Sequence, residues 1–233
     1  ADGVTTIVNA AREPEIIDLC DFLTSMGARI DGIGTPILTV TGVQPHELGG
    51  CEHETVPDRI QAATYVGACA VAGGSIDIVN ARPGHMKMVL ARFADMGLQL
   101  ETLPYGLRVT ATERLRATDV ATLPYPGIAT DYKPVIVAML SVAEGVSIVT
   151  ENLYPGRFRY VEELQRLGAD IRSKIRGLDI AIVQNRKEAN VSVTLVRDRD
   201  LEKTIRAFYG RARAKTILQS LEPQCLSGFR KDD

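Results

Sequence analysis

One short stretch returns three times along this chain, and that recurrence limits the possible folds more than any other feature. Gly3-Val4-Thr5-Thr6-Ile7-Val8-Asn9 comes back as Gly74-Ser75-Ile76-Asp77-Ile78-Val79-Asn80 and again as Gly145-Val146-Ser147-Ile148-Val149-Thr150. Each alternates apolar and polar residues, the period of a strand with one buried face. A Pro-containing loop follows in the first two copies, Arg12-Glu13-Pro14 and Arg82-Pro83-Gly84. A helical pattern comes next, with Ile16, Ile17, Leu19, Cys20 and Leu23 at three-and-four spacing in copy one. Met88, Val89, Phe93 and Met96 keep that spacing in copy two, and Val161, Leu164 and Leu167 in copy three. Gly27, Gly97 and Gly168 stand where a left-handed residue would stop each helix. A strand, a turn and a second strand complete each unit.

Copies two and three are each preceded by an apolar helix, from Arg59 to Ala72 and from about Tyr132 to Ala143. Copy one lacks its helix, and the chain opens on Ala1 rather than Met, so a natural chain extending further upstream is expected. The fold class is α/β, built of tandem helix-strand-helix-strand-strand repeats. The polar, Gly-containing stretch His46-Glu47-Leu48-Gly49-Gly50-Cys51-Glu52-His53-Glu54 reads as a connector between copies one and two.

Hydrophobic residues at 45%, charged residues at 24% and a formal net charge of −2 describe a globular protein without a general attraction to nucleic acid or anionic membrane. No apolar run approaches the roughly eighteen residues of a membrane span. Cys20, Cys51, Cys69 and Cys225 share no C-x-x-C spacing, and Cys20 and Cys69 fall on apolar helical faces, which fits buried thiols in a reducing cytoplasm. No metal site is expected, since nothing would converge His46, Cys51, Glu52 and His53 on one ion.

Two loops stiffened by proline stand out. Leu123-Pro124-Tyr125-Pro126-Gly127-Ile128-Ala129-Thr130-Asp131 leads into an apolar helix, and Glu151-Asn152-Leu153-Tyr154-Pro155-Gly156-Arg157-Phe158 follows one helix and one strand later. Asp131 is expected in the first turn of that helix, where free N–H groups and the helix dipole favour an ionised carboxylate. A helix cap and a functional acid are both open to it. Arg12, Glu13 and Glu15 read as a charged helix entrance, and Asp58 and Arg59 as a cap and its neighbouring surface charge.

Four motifs in order carry a resemblance over residues 1 to about 172: Asn9-Ala10-Ala11-Arg12-Glu13-Pro14-Glu15, Pro57-Asp58-Arg59-Ile60, Pro124-Tyr125-Pro126-Gly127 with Thr130-Asp131, and Thr150-Glu151-Asn152 with Arg157-Phe158. Together they closely resemble the UDP-N-acetylglucosamine 1-carboxyvinyltransferases of the enolpyruvyl transferase family, which also holds the shikimate-pathway synthase. The resemblance implies an inside-out α/β barrel of two domains with ligand between them. Residues 1–56 would be the last repeat of one domain and 57–173 two repeats of the other. It implies a transferase of peptidoglycan precursor synthesis, with UDP-N-acetylglucosamine and phosphoenolpyruvate as partners and no cofactor. Asp131 matches the family's proposed base for the sugar hydroxyl. Leu153 and Tyr154 match positions that touch the sugar nucleotide, although Pro155-Gly156 departs from the usual Glu-Asn. Arg12, Glu13, Glu15, Asp58, Arg59 and Arg157 fall at matched cleft positions.

Three family features have no counterpart: the Lys-Asn pair near the family N-terminus, the mobile loop bearing a Cys or Asp acid, and the late Arg segment that grips phosphoenolpyruvate. The expectation is therefore an incomplete form without transferase activity on its own, or a non-catalytic scaffold or binding module derived from the family. Residues 174–233 do not match by motif; they read as a β-hairpin and a basic helix from Asp198 to about Leu221. Acids interspersed among the bases, and the lack of an aromatic platform, argue against nucleic acid as its partner.

Overall fold

The computed structural model describes residues 2–154, 156–169, 171–172, 179–186 and 190–195. The expected helix from Asp198 lies outside them. Among the described residues no helix is long and apolar enough to cross a membrane.

The first unit runs β1 (Val4–Val8), α1 (Pro14–Ser25), β2 (Arg29–Asp31) and β3 (Ile37–Thr41). Its three strands form an antiparallel sheet in the order β1-β3-β2, with Val4 opposite Thr41 and Val8 opposite Ile37. After α2 (Arg59–Ala72) the second unit repeats that plan as β4 (Gly74–Val79), α3 (Lys87–Asp95), β5 (Gln99–Leu103) and β6 (Gly106–Ala111), in the order β4-β6-β5. Asn9 and Asn80 follow the first strand of each unit with φ of 58° and 62°, a left-handed turn that Asn tolerates. Gly27 and Gly97 stop α1 and α3 with φ of 112° and 105°, as their spacing predicts.

The third unit departs from this plan. Strand β7 (Val120–Ala121) lies parallel to β8 (Gly145–Glu151), which is followed by α5 (Tyr160–Arg166), β9 (Ile171–Arg172), β10 (Asp179–Arg186) and β11 (Asn190–Leu195). The sheet order is β7-β8-β10-β11-β9, so β11 separates β9 from β10. The hairpin read from the sequence at the end of the chain thus joins the sheet of the third repeat, and Asp179 pairs with Glu151 across it.

The main core is built from residues between Ala62 and Ile171, with Phe93, Met96, Val109, Val137 and Val149 fully enclosed. Two helices that are apolar nearly all round pass through it. The Asp58 carboxylate caps α2 by accepting the N–H groups of Ile60 and Gln61 at 2.8 and 3.0 Å. Helix α4 (Lys133–Leu140) is entered through a 3₁₀ turn, Thr130–Tyr132, and Pro134 sits in its first turn where a missing N–H costs nothing. Several apolar residues expected inside lie outside. Leu19, Met88 and Leu167 are exposed, because α1, α3 and α5 each bury a narrower stripe than their composition permits.

Helices α2 and α4 meet at Gly67, where a Cβ would stand 2.4 Å from Val135 Cγ1. Val135 is β-branched and rigid, so it cannot swing aside cheaply. Gly67→Ala should destabilise the protein by about 1 kcal/mol in urea unfolding, the crowding outweighing the better helix propensity. Combined with Val135→Ala, the two changes should cost less than their sum.

Candidate functional site

The site is organised by two loops that the sheet brings side by side. In the first, Gly127 N–H donates to Pro124 O at 2.8 Å and Leu123 N–H to Ile128 O at 2.9 Å, closing a tight turn. A Cβ on Gly127 would meet Leu123 Cβ at 2.5 Å and Pro124 O at 2.8 Å, so only glycine fits. The Tyr125–Pro126 peptide within the turn is cis. The second loop leaves β8 at Glu151.

Glu151 is 2% exposed and gathers both loops onto one carboxylate. Its Oε1 accepts from Thr122 Oγ1 at 2.6 Å, Leu153 N–H at 2.8 Å and Tyr154 N–H at 3.0 Å. Its Oε2 accepts from Thr130 Oγ1 at 2.7 Å and pairs with the Lys133 ammonium at 2.5 Å. Lys133 is 1% exposed, and its ammonium also stands 3.6 Å from the centroid of the Phe158 ring. Burial alone would raise the Glu151 carboxyl, but Lys133, the two threonine hydroxyls and the Leu153 N–H outweigh it and bring it down to about 2.

Asp131 lies between the two Glu151 partners Thr130 and Lys133. Its side chain caps no helix. Instead Oδ1 accepts from Arg157 Nη2 at 2.8 Å, with the two side chains 47% and 45% exposed. The sequence placed Asp131 in the first turn of the helix; the intervening 3₁₀ turn puts it one step earlier, aimed at the second loop. Leu153 is half-buried and Tyr154 exposed. Asp131 and Arg157 therefore form one pair, and Glu151 ties the backbone of Leu153 and Tyr154 to the segment that carries Asp131.

Of the remaining candidates, Arg59 and Arg12 reach the same loop. Arg59, buried, donates to both Glu15 oxygens at 2.8 and 3.3 Å and to Tyr132 Oη at 3.2 Å. Its guanidinium lies 5.4 and 5.7 Å from the centroids of the Tyr125 and Tyr132 rings. Arg12 Nη2 donates to Tyr125 O at 3.3 Å. Glu13 precedes α1 without capping it. Asp58 serves as the cap of α2 and makes no contact with Asp131 among the hydrogen bonds and ion pairs of the described residues. In the connector, His53 pairs with Asp18 at 3.1 Å and Cys51 Sγ faces Phe22 O, so both point to α1.

Sequence reasoning missed Glu151 and Lys133 as a pair. The available signal was a lysine heading an otherwise apolar helix and an acid closing an apolar strand, two charges that burial obliges to meet.

The sequence pattern of the EPSP synthase (3-phosphoshikimate 1-carboxyvinyltransferase) family matches residues 1–197, which carries the likeness beyond the four motifs into β11. The UDP-N-acetylglucosamine 1-carboxyvinyltransferase of Corynebacterium jeikeium is 48% identical over 170 residues, which cover 73% of this chain and 40% of that protein. The one from Mycobacterium tuberculosis is 46% identical over 183 residues, covering 76% of this chain and 43% of that protein. An enzyme of that name from Caldanaerobacter subterraneus is 43% identical over 197 residues, covering 84% and 47%. The chain thus spans less than half the length of the curated relatives it matches. Among solved structures, the enolpyruvyl transferase NikO from Streptomyces tendae has a similar fold, with a TM-score of 0.63 at 21% identity over 76% of this chain and 41% of that one.

The pH dependence of the Glu151 pair follows from its sign. A carboxyl lowered from 4.5 to about 2 on folding adds stability that is complete above about pH 4.5 and is lost as pH falls toward 2. Acid unfolding monitored by circular dichroism should show that window. In Glu151→Ala, which strands the Lys133 ammonium, stability at neutral pH should fall by about 3–5 kcal/mol.

Proposed function

Since this chain belongs to the EPSP synthase family of enolpyruvyl transferases, we propose that it forms the sugar-nucleotide side of a UDP-N-acetylglucosamine 1-carboxyvinyltransferase. The reaction joins the sugar 3-hydroxyl to the enolpyruvyl group of phosphoenolpyruvate and releases phosphate, in a cytoplasmic step of peptidoglycan precursor synthesis. The observation that carries this reading is that Glu151 holds Thr130 and Lys133, on either side of Asp131, together with the Leu153 and Tyr154 N–H groups.

In this reading Asp131 accepts the proton of the 3-hydroxyl as its oxygen attacks the enol carbon. A carboxylate is a weak base, and alignment of the hydroxyl on the electrophile supplies most of the advantage. The Arg157 guanidinium that now engages Asp131 is exposed enough to turn away and meet an anionic group of the ligand, leaving the carboxylate to the hydroxyl. Leu153 and Tyr154 offer apolar and aromatic surface to the sugar nucleotide. Arg12, Glu13, Glu15, Asp58 and Arg59 line the cleft entrance at a distance from the reacting atoms. Of these, Arg59 and Glu15 act through packing, since each occupies the other's charge.

The family architecture extends the proposal to the fold: an inside-out α/β barrel in which residues 1–56 close one domain and 57–173 begin the other. A core drawn from residues between Ala62 and Ile171, with none from the first unit, supports that division. The acid that protonates the enol methylene and the cations that hold phosphoenolpyruvate have no motif in this sequence. The chain by itself is therefore proposed to bind the sugar nucleotide without turning it over.

Titration calorimetry with UDP-N-acetylglucosamine tests this. Binding that is lost in Asp131→Ala, with no phosphate released when phosphoenolpyruvate is added, is the expected result. Absence of heat at millimolar ligand would leave a repeat scaffold without a sugar site.

A further inference from the structure

Glu151 stands at the end of β8, where Thr150 pairs with Ala121 of β7 and Glu151 itself pairs with Asp179 of β10. Its backbone is therefore fixed from both sides by the sheet. The two oxygens of its carboxyl are divided between the loops. Oε1 serves the sugar-side loop through the N–H groups of Leu153 and Tyr154, with Thr122 alongside. Oε2 serves the segment that carries Asp131, through Thr130 and Lys133 on either side of it. Lys133 in turn holds Phe158, the neighbour of Arg157, by its ring face. Five donors thus converge on one planar, acceptor-only group whose oxygens cannot move independently.

We propose that Glu151, balanced by Lys133, is a positioning residue that sets the spacing between Asp131 and the Leu153–Tyr154 loop without touching the ligand itself. The inference rests on the sugar-nucleotide reading for its consequence, but the coupling of the two loops can be measured without any ligand.

Replacing the carboxylate by an amide exposes the logic. A glutamine has one acceptor oxygen and one NH₂ donor, so it can serve only one of the two loops as an acceptor. In Glu151→Gln the Lys133 ammonium claims the oxygen and the NH₂ group is turned toward the N–H groups of Leu153 and Tyr154, which lose their acceptor. With Lys133→Met added, only the Thr130 hydroxyl remains on that side, and a hydroxyl can accept as readily as it donates. The amide then reverses, offering its oxygen to Leu153 and Tyr154 and its NH₂ to the Thr130 hydroxyl. The second substitution therefore restores what the first removes.

Amide hydrogen exchange followed by NMR on the full chain, with the Val109 amide of the core as internal reference, decides the matter. In Glu151→Gln the amides of Leu153 and Tyr154 should exchange about tenfold faster relative to Val109, the loss of one charge-assisted hydrogen bond. In Lys133→Met/Glu151→Gln they should return to within about threefold of the parent chain. Should Glu151→Gln not fold, Glu151→Asp keeps the charge opposite Lys133 and withdraws the carboxyl by one methylene; the same two amides should then accelerate. Unchanged exchange at Leu153 and Tyr154, equal acceleration at Val109, or no recovery in the double variant overturns the proposal. Calorimetry with UDP-N-acetylglucosamine on the same proteins should follow the same order, with affinity lost and regained. A parent chain that gives no heat fails the sugar-nucleotide reading alone and leaves the exchange result to stand or fall separately.

Discussion

Two opposite charges with almost no access to water, Lys133 and Glu151, are the constraint on which this site depends. Removing a carboxylate and an ammonium from solvent costs several kcal/mol for each, and a pair in the interior recovers that only when its geometry is good and every remaining lone pair is used. The second condition holds at the carboxylate. Glu151 collects two hydroxyls and two backbone N–H groups besides the ammonium, and Lys133 has the face of Phe158 on another side. An apolar pair of similar size would fill the space. It would leave Thr122, Thr130, Leu153 N–H and Tyr154 N–H without the acceptor that draws them together. The pair is therefore better understood as specifying a loop arrangement than as adding to stability.

A second buried charge ties that arrangement to the first unit. Arg59 begins α2, yet its side chain turns from the helix to meet Glu15 of α1 and the ring of Tyr132. Tyr132 is the immediate neighbour of Asp131, and Tyr125 lies in the same loop. The chain of contacts Glu15–Arg59–Tyr132 thus reaches the candidate base from one side while Glu151 and Lys133 reach it from the other. Asp131 itself is left half exposed between them, paired with a guanidinium that is equally accessible. Rigid support around an accessible carboxylate is what hydroxyl activation requires, because alignment contributes more than basicity.

Much of the fold was legible because its signals are local and repeated. The strand of alternating residues at Gly74, the stripe Val89-Phe93-Met96 and the stop at Gly97 reappear in the structure as β4, α3 and their connection. The exit of β11 into the sheet between β10 and β9 was not legible, since alternating apolar residues specify a strand and not its neighbour. For the site, sequence reasoning found the residues that lie near solvent and carry a motif. Asp131 reads in the sequence both as a helix cap and as a functional acid, and its pairing with Arg157, twenty-six positions on, emerges only in the folded chain. Glu151 stands in a motif, but its pairing with Lys133 is not legible, because a single acid after an apolar strand, or a single base before an apolar helix, reads as a boundary. Their meaning arises only from being enclosed together, and enclosure is a property of the packed chain.

The central claim is that Asp131 and the Leu153–Tyr154 loop form one preset surface for a sugar alcohol. A crystal structure of the chain with UDP-N-acetylglucosamine tests it most directly. The account predicts the sugar 3-hydroxyl within hydrogen-bonding distance of an Asp131 oxygen, Leu153 against the sugar nucleotide, and the Glu151–Lys133 pair unmoved. A nucleotide seated elsewhere, or one bound here with Asp131 still held by Arg157 and turned from the hydroxyl, would contradict it.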